Sequence, residues 1–163
     1  MAGHLPREVK DFKRIDGARI AIIGSMWHSH CVEGMMSRAH KELIGVGVKP
    51  GDISIHRIPG SLELPFAARI LFESDPSLDA ILAFGVILKG ATSHDDTVMQ
   101  QVVYGFAAVT DRFCKPVINE VIGVTDIRFA EERSGNSDIN KGIEAVFAVS
   151  EILSWQRSVR RGE

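Results

Sequence analysis

Short apolar runs and helix-period segments take turns along this chain. Arg19–Gly24 (RIAIIG) is a β-rich apolar run, followed by a helical segment from about Ser29 to Leu43 that stops near Gly45 and Gly47. Ile53–Ile58 (ISIHRI) alternates as a strand does and ends at Pro59-Gly60. Leu64–Phe72 carries Leu64, Ala67, Ala68 and Leu71 at helical spacing. The breaker run Ser74-Asp75-Pro76-Ser77 precedes a strand over Asp79–Gly85. Thr97–Phe113 reads as a long helix with Val98, Gln101, Val102, Gly105, Phe106 and Val109 on related faces. Pro116–Ile122 is a further strand. A last helix runs from Ile139 through Ile152, with Ile143, Val146, Phe147, Ser150 and Ile152 as its apolar surface.

Strands that alternate with helices predict βαβ units. The expected fold is α/β, a three-layer αβα sandwich around a parallel four-stranded sheet. Near-continuous apolar strands such as Ile81-Leu82-Ala83-Phe84 fit a sheet buried on both faces. Ligands of such sheets bind beyond the carboxyl ends of the strands. Those ends carry the unusual residues here: Gly24-Ser25-Met26-Trp27, Pro59 to Glu63, Gly85 to His94, and Ile122-Gly123.

Composition narrows the class without choosing a function. The chain has 163 residues, 45% of them apolar and 25% charged, which predicts one globular domain over residues 1–163. A net charge of −2 gives no general attraction to nucleic acid or acidic membranes. Arg157, Arg160 and Arg161 read as a solvated helix end. Cys31 and Cys114 form no CxxC pair and are expected as buried free thiols in a reducing cytosol. The opening MAGHLPREVKDFKR lacks the apolar core of a signal peptide, so a cytoplasmic location is expected. His28, His30, His40 and His56 show no metal-ligand spacing, and no metal site is expected.

The densest chemistry lies in Gly85–Asp96, GVILKGATSHDD. A strand end, a small-residue turn and a helix start gather backbone N–H groups, two hydroxyls, a cation and an imidazole. Helix N-termini flanked by small residues bind anions such as phosphate. His94 beside that turn can move protons near neutrality. The first strand is followed by GSMWHSH rather than GxGxxG, and no GxxxxGK[ST] occurs, so the dinucleotide and P-loop patterns are missing.

Three ordered motifs resemble the lumazine synthase family. IPGSLELP (Ile58–Pro65), GVILKGATSH (Gly85–His94) and ERSGNSDINKG (Glu132–Gly142) are similar to that family's signature segments, and Ser25-Met26-Trp27-His28 resembles its stretch after the first strand. The resemblance spans about Arg19 to Ile152. It implies a flavodoxin-like fold and condensation of 5-amino-6-(D-ribitylamino)uracil with 3,4-dihydroxy-2-butanone 4-phosphate to 6,7-dimethyl-8-ribityllumazine, without cofactor or metal. It further implies a role for each matching residue. Trp27 would stack on the pyrimidine; Ser61 and Glu63 would line the ribityl pocket; Ile87, Leu88 and Lys89 would flank the ring. Ala91 and Thr92 would contact phosphate and His94 would transfer protons. Arg133 would bind phosphate and Lys141 would assist, both reaching the site from a neighbouring subunit.

Departures from the pattern fall at Asp95, Asn119 and Glu120. The family usually has an aromatic after its histidine, an aromatic or other apolar residue near Asn119, where it covers the substrate ring, and a glycine near Glu120. A flavin- or lumazine-binding paralogue of low activity is the alternative these changes raise, since Trp27 would also stack on an isoalloxazine ring. The resemblance implies a homo-oligomer, a pentamer or a sixty-subunit icosahedral shell, with riboflavin synthase as a partner. Residues 1–17 are read as an N-terminal extension, whose Asp11–Asp16 segment is expected to add an edge strand to a neighbour's sheet.

Overall fold

The computed structural model describes residues 12–163. Four strands form one all-parallel sheet in the order β2-β1-β3-β4: β1 (Ile20–Ser25), β2 (Ile53–Ile58), β3 (Ala80–Leu88) and β4 (Val117–Val124). Helices α1 (Ser29–Gly45), α2 (Leu64–Ser74), α3 (His94–Phe113), α4 (Ile127–Glu132) and α5 (Lys141–Arg161) complete it. One-turn 3-10 helices at Pro50–Asp52 and Ser61–Glu63 bracket β2. This is the three-layer arrangement expected from the alternation of strands and helices, and it is flavodoxin-like as the resemblance implied.

The sheet is buried from both sides because its strands alternate between two cores. Ile20, Ile22, Leu82, Phe84 and Val86 point to the side covered by α1 and α5. Ala21, Ile23, Ile81 and Ala83 point to the side covered by α2 and α3. α1 contributes Cys31, Val32, Met35, Met36, Ala39 and Leu43, spaced three and four apart as one helix face requires. α5 packs on α1 so closely that Gly142 has no room for a side chain: a Cβ there would meet the Met35 carbonyl and come within 2.6 Å of the Ala39 nitrogen.

Several expectations shift in detail. β3 runs on through Leu88, and α3 starts three residues before Thr97, at His94. α4 was not anticipated, and α5 begins two residues after Ile139 but continues nine past Ile152, so Arg160 and Arg161 occupy its last turn. Ile152 is exposed rather than part of the apolar face of α5. Cys31 is buried, but Cys114 is exposed, because it caps α3 in a left-handed conformation (φ 50°). Of the N-terminal extension, residues 1–11 lie outside the described residues. Phe12–Asp16 has no regular structure; Ile15 is buried and donates its N–H to Val46 O (2.9 Å), while the Phe12 ring packs 5.9 Å from that of Phe147. No described helix is long and apolar enough to cross a membrane.

Candidate active site

The strand order dictates where a crevice opens. From β1 the chain crosses to β2 on one side, then to β3 on the other, so the helices after β1 and β3 lie on opposite faces and part at the carboxyl ends of those strands. A cleft of about 440 Å³ lies there, lined by Trp27, His28, Gly60 to Glu63, Val86 to Leu88, His94 and Val98.

Each wall has a local cause. Met26 N–H bonds Ile58 O (2.8 Å), holding the chain against β2 as it leaves β1. His28 then adopts a left-handed turn (φ 53°, ψ 45°), which costs a residue with a side chain about 1–2 kcal/mol. Trp27, just before that turn, is 71% exposed and free to receive a flat ring. On the opposite wall Ser61 is buried over β3, where Gly85 makes space: a Cβ at Gly85 would lie 2.7 Å from Ser61 Oγ. Glu63 is exposed and precedes α2, with Pro65 in the first turn. His94 opens α3, whose cap Ser93 makes no side-chain hydrogen bond, so the first-turn N–H groups are left to donate to an anion.

A smaller cleft of about 170 Å³ adjoins the first, between the ends of β3 and β4. Ile87, Lys89, Asp95, Asp96, Met99 and Gly123 to Thr125 line it, so Ile87 serves both clefts while Lys89 turns to this one. Lys89 N–H bonds Val124 O (2.7 Å), which fixes that orientation from the backbone. Asp95 Oδ1 is buried without a hydrogen-bond partner. Ala91 and Thr92 are exposed in the turn before α3 and line neither cleft.

The remaining predicted residues belong to the far edge of the sheet. Arg133 lines a third cleft, about 400 Å³, with Ile122 to Thr125 and Phe129, and donates to Phe129 O (2.9 Å). Lys141 begins α5, and its backbone N–H bonds Arg133 O (2.9 Å), closing the intervening loop. Asn140 is buried inside that loop, accepting from Gly142 N–H (2.8 Å) and donating to Gly135 O (2.7 Å). The Lys141 ammonium pairs with Glu144 and, at 3.5 Å, with Glu120. Burial pushes the Glu120 carboxyl up to about 7; Lys141 pulls it down and Glu144 pushes it up. Asn119 is exposed and folds onto its own strand, accepting from Val121 N–H (3.0 Å). Among the described residues, no group of three or more His, Cys, Asp or Glu could hold a metal ion.

Comparison with known proteins decides the family. The family model described as 6,7-dimethyl-8-ribityllumazine synthase matches residues 17–157. A 6,7-dimethyl-8-ribityllumazine synthase of Stenotrophomonas maltophilia (strain K279a) is 33% identical over 144 residues, covering 88% of this chain and 92% of its own. The enzyme of that name from Xylella fastidiosa (strain M12) is 33% identical over 138 residues, 85% of this chain and 89% of its own. That from Aquifex aeolicus (strain VF5) is 32% identical over 145 residues, 89% and 94%. The chain belongs to the 6,7-dimethyl-8-ribityllumazine synthase family.

As a member of the lumazine synthase family it is a transferase of riboflavin biosynthesis. Within one chain, six of the residues expected at the site, Trp27, Ser61, Glu63, Ile87, Leu88 and His94, surround one cleft. Lys89, Arg133, Lys141 and Asn119 do not line it. Sequence reasoning missed His28, Leu62, Val86 and Val98 on its walls. It also missed Asn140, whose place just before a helix and two residues before a glycine was the available signal.

Proposed function

We propose that this chain condenses 5-amino-6-(D-ribitylamino)uracil with 3,4-dihydroxy-2-butanone 4-phosphate to give 6,7-dimethyl-8-ribityllumazine. The observation that carries the reading is the cleft at the β1–β3 crevice. It places an exposed indole, a buried hydroxyl, a carboxylate and an imidazole around a space sized for a small polar molecule. The pyrimidine stacks on Trp27, and the ribityl chain lies along Ser61 and Glu63. The ketone phosphate sits at the turn of Ala91 and Thr92 before α3.

The amine attacks the ketone and water leaves as the imine forms; inorganic phosphate is then eliminated, and ring closure loses a second water. Each stage moves protons, and His94 is the group able to accept and return them. Holding both reactants in one orientation supplies much of the rate. Arg133 and Lys141, which lie at the sheet edge in their own chain, complete the site of a neighbouring subunit in a homo-oligomer, a pentamer or a shell built from it. Riboflavin synthase, which consumes the lumazine, is the expected partner. Catalysis needs no metal or organic cofactor in this scheme.

The test is turnover. Purified protein, both substrates and the His94→Ala variant are followed by lumazine absorbance and fluorescence. Formation above the spontaneous rate, reduced on the order of a hundredfold or more in the variant, is expected. A rate equal to the protein-free control rejects the reading.

A further inference from the structure

Opposite the substrate cleft, the junction of β4 and α5 holds three charges where the surrounding core is apolar. Glu120 is 13% exposed and Lys141 19%. On that face, β3 supplies Phe84, α1 Val32 and Met35, and α4 Ile127 and Ala130. The charges acting on Glu120 are Lys141 and Glu144, both from α5. One ammonium therefore serves two carboxylates. Glu144 sits three residues along the same helix, a fixed neighbour, whereas Glu120 reaches across from the strand.

This pairing is coupled to the Arg133 cleft by the backbone. Lys141 N–H is bonded to Arg133 O, and Asn140 braces the loop between them at both ends. The backbones of Lys141 and Arg133 are therefore direct neighbours, joined across a short, hydrogen-bonded loop.

We propose that Glu120 is a positioning residue for Lys141: it holds the ammonium at the β4–α5 junction, and its ionisation decides how much of that positive charge remains for a phosphate bound at the Arg133 end of the loop. The inference rests on the proposed reading of Arg133 and Lys141 as phosphate-facing residues. With Glu120 protonated, Lys141 faces one carboxylate and the cluster is neutral. With Glu120 ionised, the cluster carries one net negative charge and disfavours a bound dianion. The changeover falls near neutrality, because burial raises the Glu120 carboxyl to about 7.

The experiment uses the full chain in its assembled form. KM for the butanone phosphate and kcat are measured from about pH 6 to pH 8.5 for the wild type and Glu120→Gln. Both proteins meet the same substrate ionisation, so the ratio of their KM values isolates Glu120. That ratio should rise through neutrality on the order of fivefold, with the kcat ratio flat. A KM ratio independent of pH overturns the proposal.

A second measurement needs no turnover. Sulfate keeps a constant charge over this range, so its binding to the wild type and to Glu120→Gln is followed by calorimetry in buffers of different ionisation enthalpy. Uptake of a fraction of a proton near pH 7 is expected, since anion binding and Glu120 protonation favour one another. Proton uptake that is no larger in the wild type than in Glu120→Gln, or no sulfate binding, overturns the proposal. Proton-linked binding in a protein with no turnover would reject the lumazine synthase reaction and leave the Glu120 inference standing.

Discussion

Replacing Glu120 by glutamine should make the protein more stable above neutral pH, and the size of the gain follows from the site. The carboxyl lies in an apolar layer, and its pKa is about 7 against an ordinary 4.5. The folded state therefore keeps a proton that the unfolded chain gives up. For this group the stabilising contribution is fully present below pH 4.5, declines as pH rises, and is lost once pH passes about 7. At about 1.4 kcal/mol per unit, that gap makes ionised Glu120 cost the fold about 3 kcal/mol. Glutamine keeps the shape and never ionises. Urea unfolding at fixed protein concentration should give similar stabilities for the two proteins near pH 4. The variant should then gain about 3 kcal/mol by pH 8, or roughly 6–12 °C in Tm. Parallel pH dependence of the two proteins would refute the reasoning, because it would mean that Glu120 ionises alike in the folded and unfolded states.

Three further substitutions test the packing and the cleft. Gly142→Ala puts a Cβ against the backbone of α1, which has little freedom to yield, and should lower stability by about 1–3 kcal/mol in thermal melts. Asn140→Ala removes the cap of α5 and the brace to Gly135 O, and should cost about 1–2 kcal/mol; under the proposed reading, KM for the butanone phosphate should rise more than kcat falls. Trp27→Ala should leave stability within about 0.5 kcal/mol, since the indole is largely exposed. The same change should weaken calorimetric binding of a ribitylaminopyrimidine by about 1 kcal/mol through lost stacking.

The fold was legible where sequence punctuation and burial agree. β2 has the predicted bounds, with Pro50 leading into it and Pro59-Gly60 leading out. β3 outran its prediction because Gly85 looked like a terminator. The glycine is inside the strand so that Ser61 can approach the sheet, a tertiary cause that no local pattern displays. α4 is six residues long, too short to show a helical period, and its one signal was Asp126, which caps it by accepting from Arg128 N–H (2.9 Å). The end of α5 was lost because its last turns are amphipathic only weakly, with Trp155 and Val159 facing outward. The stop itself was written in Gly162, whose positive φ of 79° ends the helix.

Six of the expected site residues share one cleft and the others do not, and the sheet order explains why. Trp27 follows β1 and His94 follows β3, which are neighbours, so the two face one crevice within a single chain. Arg133 and Lys141 follow β4, which borders β3 on its other side, so the sheet itself keeps them from that crevice. The fate of Glu120 turned on strand register. Pairing Phe84 with Glu120 turns the carboxylate toward α5, and the same register turns Asn119 to the opposite face. A slip of one residue would have exchanged the two environments. Under the proposed reading, the edge position of β4 is what allows a second subunit's crevice to meet Arg133 and Lys141. Under the same reading, a largely covered Glu120 on that strand acts where one chain's charge becomes another chain's binding site.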